Sequence, residues 1–567
     1  MSVSLLLLAA LSPLARAYLV NSTEYSSGAL GRAPVQTFKS VNFTAAEWNF
    51  NVFPSSDLPS GYIFLAPRGT DVTTPTGIIY DSNGEVVWHG KEAGVGQTMS
   101  FSVGTYQGEQ VIATWGGSFN SNGYGDGHGL IFDQTYSLIA NLSTTINGTG
   151  IDFHEFAISD NDTALATVYV TEEYDLSSYS VNTTDGTTGW IMGGAFQEID
   201  IATGEPVFTW KSLDHVSPSE CYTTPGTTGA SSDSPWDYFH INSIEKDLSG
   251  NYLISSRHCH AIYQISPEDG SILWTINGQN SSFTMGTNTT FEWQHDARWR
   301  NNYTQISVFD NAATSWESDE EMARGLLLEV DQSGMTVELV QEFLPWNETV
   351  SSSQGSIQEQ DNGNYLLGWG QNPFFSEYSS DGTLLSSVQF GVGNVQGYRA
   401  LRYNWTAYPT TSPDIAIESS DNSSSAYAVY TSWNGATEVS QWALYGITSL
   451  SSATSPTKLD EQDKTTFESS FNVTEDVASS YPWVQTQAIS SNGTVLGSSV
   501  YVALGNGTES SVGNTTTSVG SSNTTATTSS AASGTSSNAV ASSSGAERVE
   551  VGLGIAGLAM LAVTMIM

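Results

Sequence analysis

A hairpin signature that returns six times constrains this chain more than any other feature. An apolar strand, an acidic or polar turn with glycine, and a second strand closing on a bulky side chain occur as IIYDSNGEVVW (78–88), QEIDIATGEPVFTW (197–210), YQISPEDGSILW (263–274), LLEVDQSGMTVEL (327–339) and SEYSSDGTLLSSVQF (376–390). A degenerate copy, LIFDQTYSLIANL, sits at 130–142. So short a unit cannot bury its own apolar face, and a spacing of roughly 50 to 70 residues suits a four-stranded propeller blade with loops. One whole unit is legible in HINSIEKD, NYLISSRHC, AIYQIS and SILWTI, four alternating segments separated by turn signals at Ser249-Gly250, Ser266-Pro267 and Asp269-Gly270. Capped helical periodicity is not evident. The reading is therefore an all-β protein, a six-bladed β-propeller over 40–410 followed by a small β-sandwich-like domain over 415–505.

Charge excludes several partners. Against 58 Asp+Glu stand 16 Lys+Arg, a net charge of -42, so nucleic acid and anionic membrane surfaces are repelled at long range. The ends point to the secretory route. SLLLLAALSPLARA closes on a small-x-small pattern, which predicts a signal peptide over 1–17 and a mature chain from Tyr18. A Ser/Thr-rich stalk is expected over 506–545, and the apolar segment over 546–567 reads as a signal for a GPI lipid anchor, attached within Gly534 to Ser544, with a short transmembrane helix as the alternative. Asn-x-Ser/Thr sequons recur at Asn21, Asn42, Asn141, Asn147, Asn182, Asn302, Asn347, Asn404 and Asn472, as in a glycoprotein. Cys221 and Cys259 are the two cysteines of a chain bound for an oxidising compartment, and a disulfide between them is predicted.

The histidines fall in repeat phase. Aligned first strands begin HEFAIS at His154, HINSIE at His240 and HDARWR at His295. In a propeller such positions crowd the central channel, so the three should share a pocket, with Arg257 of the second strand in reach. A lone strand histidine is more often structural than catalytic, but three in phase shift that balance. A three-histidine zinc site is conceivable, though a permanent cation beside a dication is repulsive and an arginine favours an anion. Strand alternation sets His258 and His260 on the face opposite Cys259 and Arg257. His89, His128 and His215 sit in contexts that suggest structural roles.

The motifs HINSIEKDLSGNYLISSRH, DGSILWTINGQ, FEWQHDARWRNNYTQISVFDNA and DFHEF resemble the arylsulfotransferase (arylsulfate sulfotransferase) family, its eukaryotic secreted branch above all, over about 60–405. The resemblance implies a six-bladed propeller that moves a sulfuryl group between phenols through a sulfated histidine, with no adenylyl-sulfate cofactor. It implies His295 as nucleophile and His154, His240 and Arg257 as its oxyanion partners. Arg298, which departs from the bacterial pattern, and Asn242 are candidate substrate-binding residues. The residue types suit the chemistry: guanidinium and imidazole donors meet charge developing on sulfuryl oxygens, and a neutral imidazole attacks sulfur. No metal or nucleotide is required. Two other classes stay open: a non-catalytic surface propeller holding an anionic or glycan ligand, and a metal-dependent hydrolase. A quinone-cofactor dehydrogenase is disfavoured, because such propellers generally need eight blades.

Overall fold

Strand dominates the computed structural model, with 47% strand and 5% helix. It describes residues 19–516 apart from 55, 121–122, 184–185, 420–425, 506 and 511–514. The leader expected over 1–17, the stalk from 517 onward and the anchor signal over 546–567 lie outside the described residues. No helix among the described residues is long and apolar enough to cross a membrane.

Each of the six repeat segments is an antiparallel hairpin of consecutive strands. Each also carries a register shift, for example between Ile79 and Tyr80 and between Gln264 and Ile265, the local bulge that strengthens twist. The closing aromatic side chains explain why the signature repeats. Trp210 Nε1 donates to the carbonyl of Gly270 at 3.0 Å, and Trp274 Nε1 reaches Gln332 Oε1 at 3.3 Å, each in the turn of the next hairpin. Trp88 stacks on Tyr136 of the following hairpin, with ring centroids 4.7 Å apart. A bulky strand end and a tight polar turn are thus two halves of one contact between neighbouring sheets.

Every hairpin belongs to a larger, mainly antiparallel sheet. The first sheet pairs Tyr62–Arg68 with the late strand Gln396–Tyr403, and the sixth adds Asn49–Val52 beyond Leu384–Gln389, so both ends of this region are sewn in. The opposite edge strands of the six sheets are Gln396–Tyr403, Phe101–Tyr106, Phe156–Ile158, Ile241–Lys246, His295–Arg300 and Ser356–Glu359. Contacts run from Phe101–Tyr106 to Phe156–Ile158, from the third sheet to Ile241–Lys246, on to His295–Arg300, to Ser356–Glu359, to Gln396–Tyr403 and back to Phe101–Tyr106.

The fourth sheet contains Ile241–Lys246, Tyr252–Ser256, Ala261–Ile265 and Ile272–Asn277 in sequence order, as the alternation predicts. One boundary differs. The second of these strands stops at Ser256, and Arg257 to His260 form the turn, so strand alternation does not govern which way Arg257 and His258 point.

After residue 410, Asp414–Ser419, Tyr427–Ser432 and Ser469–Val473 form one sheet, and Val439–Ile447 and Trp483–Ser490 centre another. They share a core that includes Val429, Trp442, Phe471 and Val484. Asn434 ties them to the first sheet by accepting from the His89 N–H at 2.8 Å and donating to the His89 carbonyl at 3.0 Å. All nine sequon asparagines named above are exposed.

Candidate active site

His154 and His240 stand one or two residues ahead of the edge strands Phe156–Ile158 and Ile241–Lys246, and His295 opens its own strand. These strands belong to successive sheets, which is what carries residues far apart in sequence to one place. The rings of His154 and His240 lie 4.9 Å apart, and Tyr398 links the group, 5.7 Å from His154 and 6.3 Å from His295. All three histidines and Arg257 are buried. The surroundings hold unusual backbone: His240, Trp293, Asp296, Ala312 and Gln354 all have φ between 51° and 66°. Such left-handed residues cost free energy and gather where a site requires it.

Each histidine has its own orienting partner. Asp152 Oδ2 accepts from His154 Nδ1 at 2.6 Å, and Asp237 Oδ2 accepts from His240 Nδ1 at 2.6 Å. Asp152 is itself held by the Gly125 N–H and the Thr167 hydroxyl. His295 instead faces Asn311 Oδ1 at 2.7 Å. The Asn311 amide cannot turn over, because its Nδ2 donates to the carbonyls of Ser351 and Gln354 at 3.0 and 2.9 Å. His295 Nδ1 must therefore carry the proton, and Nε2 keeps its lone pair. Nε2 accepts the backbone N–H of Gln354 at 3.2 Å, a long bond. Burial first, then Arg257, holds His295 well below the ordinary imidazole pKa, so the ring is neutral. Burial, then His154 and Arg257, does the same to His240, while burial pushes Asp237 up.

Arg257 is gripped from three sides. Nη1 donates to His258 Nε2 at 2.9 Å, Nη2 donates to the Ser352 carbonyl at 3.0 Å, and the guanidinium lies 5.3 Å from the Trp293 ring centre. Its Nε is buried with no partner among the described residues, and burial pushes the group down to about 10. The Cys221–Cys259 disulfide is present, and the Tyr222 N–H donates to the His258 carbonyl at 2.8 Å, so the loop before Trp236 is pinned to the turn that presents Arg257.

Arg298, expected among the substrate contacts, has its guanidinium engaged within the protein: Nε meets Asp296 at 3.0 Å, Nη1 meets the Ile244 carbonyl at 2.8 Å and Nη2 pairs with Glu155. Burial alone would lower its pKa, but Glu155, Asp296 and Glu245 raise it, as expected of a buried arginine saturated with carboxylates. His258, set aside by alternation, belongs to the site, its ring 4.7 Å from that of His240. Asn242 Nδ2 donates to the Gln294 carbonyl at 2.7 Å, bracing the residue before His295, and its Oδ1 is buried and unpartnered. His89 stacks on Phe43, His215 stacks on Trp210 and His128 meets Ser143, contacts that suit structural roles.

Sequence reasoning passed over Asp152, Asp237, Asn311, Gln354, Tyr398 and Tyr169, whose ring lies 5.5 Å from that of His154 and 5.6 Å from that of His240. The first two carried a signal, an acid two or three residues before each histidine in DFH and DYFH. Asp237, His240 and His258 could in principle approach a cation. His258, however, offers no free nitrogen, since Nδ1 donates to the Asp237 carbonyl and Nε2 accepts from Arg257.

Solved structures similar to this chain include a protein of unknown function from Bacteroides caccae (TM-score 0.35, 12% identity, covering 60% of this chain and 99% of that one). A protein from Lactobacillus plantarum (0.34, 8%, 61% and 100%) and the hydrazine synthase of Kuenenia stuttgartiensis (0.31, 11%, 58% and 80%) are also similar. No curated protein matches. The arylsulfotransferase (ASST) family model matches residues 102–391, just over half of the chain and every residue of the histidine cluster, and the protein belongs to that family.

Proposed function

We propose that this protein is a secreted arylsulfate sulfotransferase whose six sheets are the blades of a propeller, with His295 as the sulfated nucleophile. The succession of edge-strand contacts that returns from Gln396–Tyr403 to Phe101–Tyr106 supports the propeller reading. The observation that carries the chemistry is the locked Asn311 amide, which leaves His295 Nε2 as a lone pair on a neutral buried ring. In the first half-reaction Nε2 attacks sulfur, an N–S bond forms, and the S–O bond to the aryl group breaks. The departing oxygen takes a proton from Nε2 of His154 in its imidazolium form, which the Asp152 carboxylate at Nδ1 supports. In the second, an acceptor phenol attacks sulfur, returns its proton to the same imidazole, and the N–S bond breaks. Arg257 Nε, buried with no partner, is the donor suited to a sulfuryl oxygen. The Gln354 N–H, released when Nε2 bonds sulfur, is placed to become a second.

Nine exposed sequons and a disulfide support passage through an oxidising secretory compartment, with a lipid anchor at the C-terminal end as the proposed attachment. The deciding experiment exposes the purified protein to an aryl sulfate without acceptor. A burst of phenol and a sulfuryl adduct on the peptide spanning Phe291 to Arg298, discharged by added phenol and absent in His295→Asn, are expected. Ligand binding with no burst would leave a non-catalytic binding module, and turnover by His295→Asn would falsify the mechanism.

A further inference from the structure

Arg68 pairs with no carboxylate among the described residues. It ends the strand Tyr62–Arg68 directly opposite Gln396 in an antiparallel pair, where opposed side chains share a face. Gln396 Oε1 accepts from Gln354 Nε2 at 3.1 Å, and the Gln354 backbone N–H donates to His295 Nε2. Arg68 is therefore one cross-strand step from a hydrogen-bonded path to the nucleophile. Its guanidinium makes no hydrogen bond or ion pair with a described residue, and its Nε is buried with no partner. Tyr398 Oη, two residues on from Gln396 in the same strand, and Gln354 Oε1 are also buried with no partner among the described residues. By contrast Arg298, Arg324, Arg399 and Arg402 each hold a carboxylate.

Arg68 is half-buried, with its Nε sealed from water and no counter-ion among the described residues, an arrangement that a ligand bringing the counter-charge would relieve. Burial pushes Arg68 down to about 10, as it does Arg257, whereas Arg298 and Arg399 are raised by their carboxylates against the effect of burial. One cation suffices for the single charge of an aryl sulfate, and Arg257 is the one set among the histidines. We propose that Arg68 binds a second acidic group on the aromatic substrate, a carboxylate on the far side of the ring from the reacting oxygen. The preferred donors and acceptors are then carboxylated aryl sulfates and phenols. This inference rests on the sulfuryl-transfer reading for the position of the ring.

The test is calorimetric titration of phenyl sulfate and 4-carboxyphenyl sulfate into the full chain carrying His295→Asn, which prevents turnover during the measurement. The carboxylated ester should bind about ten-fold tighter, the size of one charge-assisted hydrogen bond. Adding Arg68→Met should remove that advantage and leave phenyl sulfate binding within about two-fold, while Arg68→Lys keeps part of it. Unchanged phenyl sulfate affinity also reports that the variants fold. Equal affinity for the two esters, an equal loss of both in Arg68→Met, or no binding of either overturns the proposal. The phenol burst of the unmodified protein with phenyl sulfate is measured in parallel: its absence removes the transfer reading while the carboxylate preference in binding still decides the role of Arg68.

Discussion

At the scale of single residues, the site is a set of imidazoles set apart by what each Nδ1 meets. A carboxylate meets Nδ1 of His154 and of His240, whereas the amide of Asn311 orients His295 without stabilising its charge. The acceptor-free burst with a nitrophenyl sulfate, whose leaving group needs no proton, should report the neutral fraction of His295. Because burial and then Arg257 lower its pKa, protonation is deferred, and the burst rate should hold level as pH falls through 6.5, the ordinary imidazole value, and decline only below it. Arg257→Met removes a like charge and should move that acidic limb upward. Arg257→Lys keeps the charge but loses the planar fork, and should slow the burst by about 2 to 4 kcal/mol of barrier with the adduct still forming. Stopped-flow phenol release across pH for the three proteins tests both expectations, and a limb centred on 6.5 in the unmodified protein would contradict the first.

At the scale of elements, the turn from Arg257 to His260 and the edge strand His295–Arg300 are fixed by different devices. The turn is held by the disulfide, which closes a sequence separation of 38 residues and is worth up to ~4 kcal/mol in the chain-entropy view. Cys221→Ser with Cys259→Ser should lower the denaturation midpoint and raise KM for the sulfate ester, since the loosened turn presents Arg257. A lowered midpoint with unchanged KM would show that the bridge serves stability alone. The edge strand is held by the buried network of Glu155, Asp296, Arg298 and Arg399. Glu155→Gln leaves two guanidinium groups short of a counter-ion, and a loss of about 3 to 5 kcal/mol is expected in equilibrium unfolding. Its folded fraction should keep the KM of the unmodified protein, because the pair lies outside the substrate contacts.

At the scale of the whole molecule, a net charge of -42 opposes an anionic substrate, and attraction is confined to buried guanidinium groups. The two effects respond differently to salt. Screening acts on the long-range repulsion, with a Debye length of ~10 Å at 0.1 M, and much less on contacts inside the site. At subsaturating aryl sulfate the rate should therefore rise between low and moderate ionic strength, the reverse of a basic enzyme acting on an anion. Initial rates at several concentrations of a weakly coordinating salt make the check, and a monotonic fall would show that local attraction controls capture.

How much of this was legible in the chain depends on the range of the forces involved. The hairpins, their turns and the closing tryptophans are set by alternation and turn chemistry over a dozen residues, and all six appear as paired strands. Repeat phase likewise gathered His154, His240, His295 and Arg257, because equivalent positions in stacked sheets face one another. Phase says which residues come near, but not what each touches. His258 was misplaced because the strand ends at Ser256, a boundary decided by the backbone bonds that Arg257 and His258 make to His240 and Phe239. The partners that engage Arg298 were not legible either, because they include Glu155, 143 residues away. The sequence alone determined the repeat and the phase of the site; only tertiary packing decided which arginines are neutralised and which nitrogen of His295 is free, because both depend on hydrogen-bond partners that no local pattern encodes.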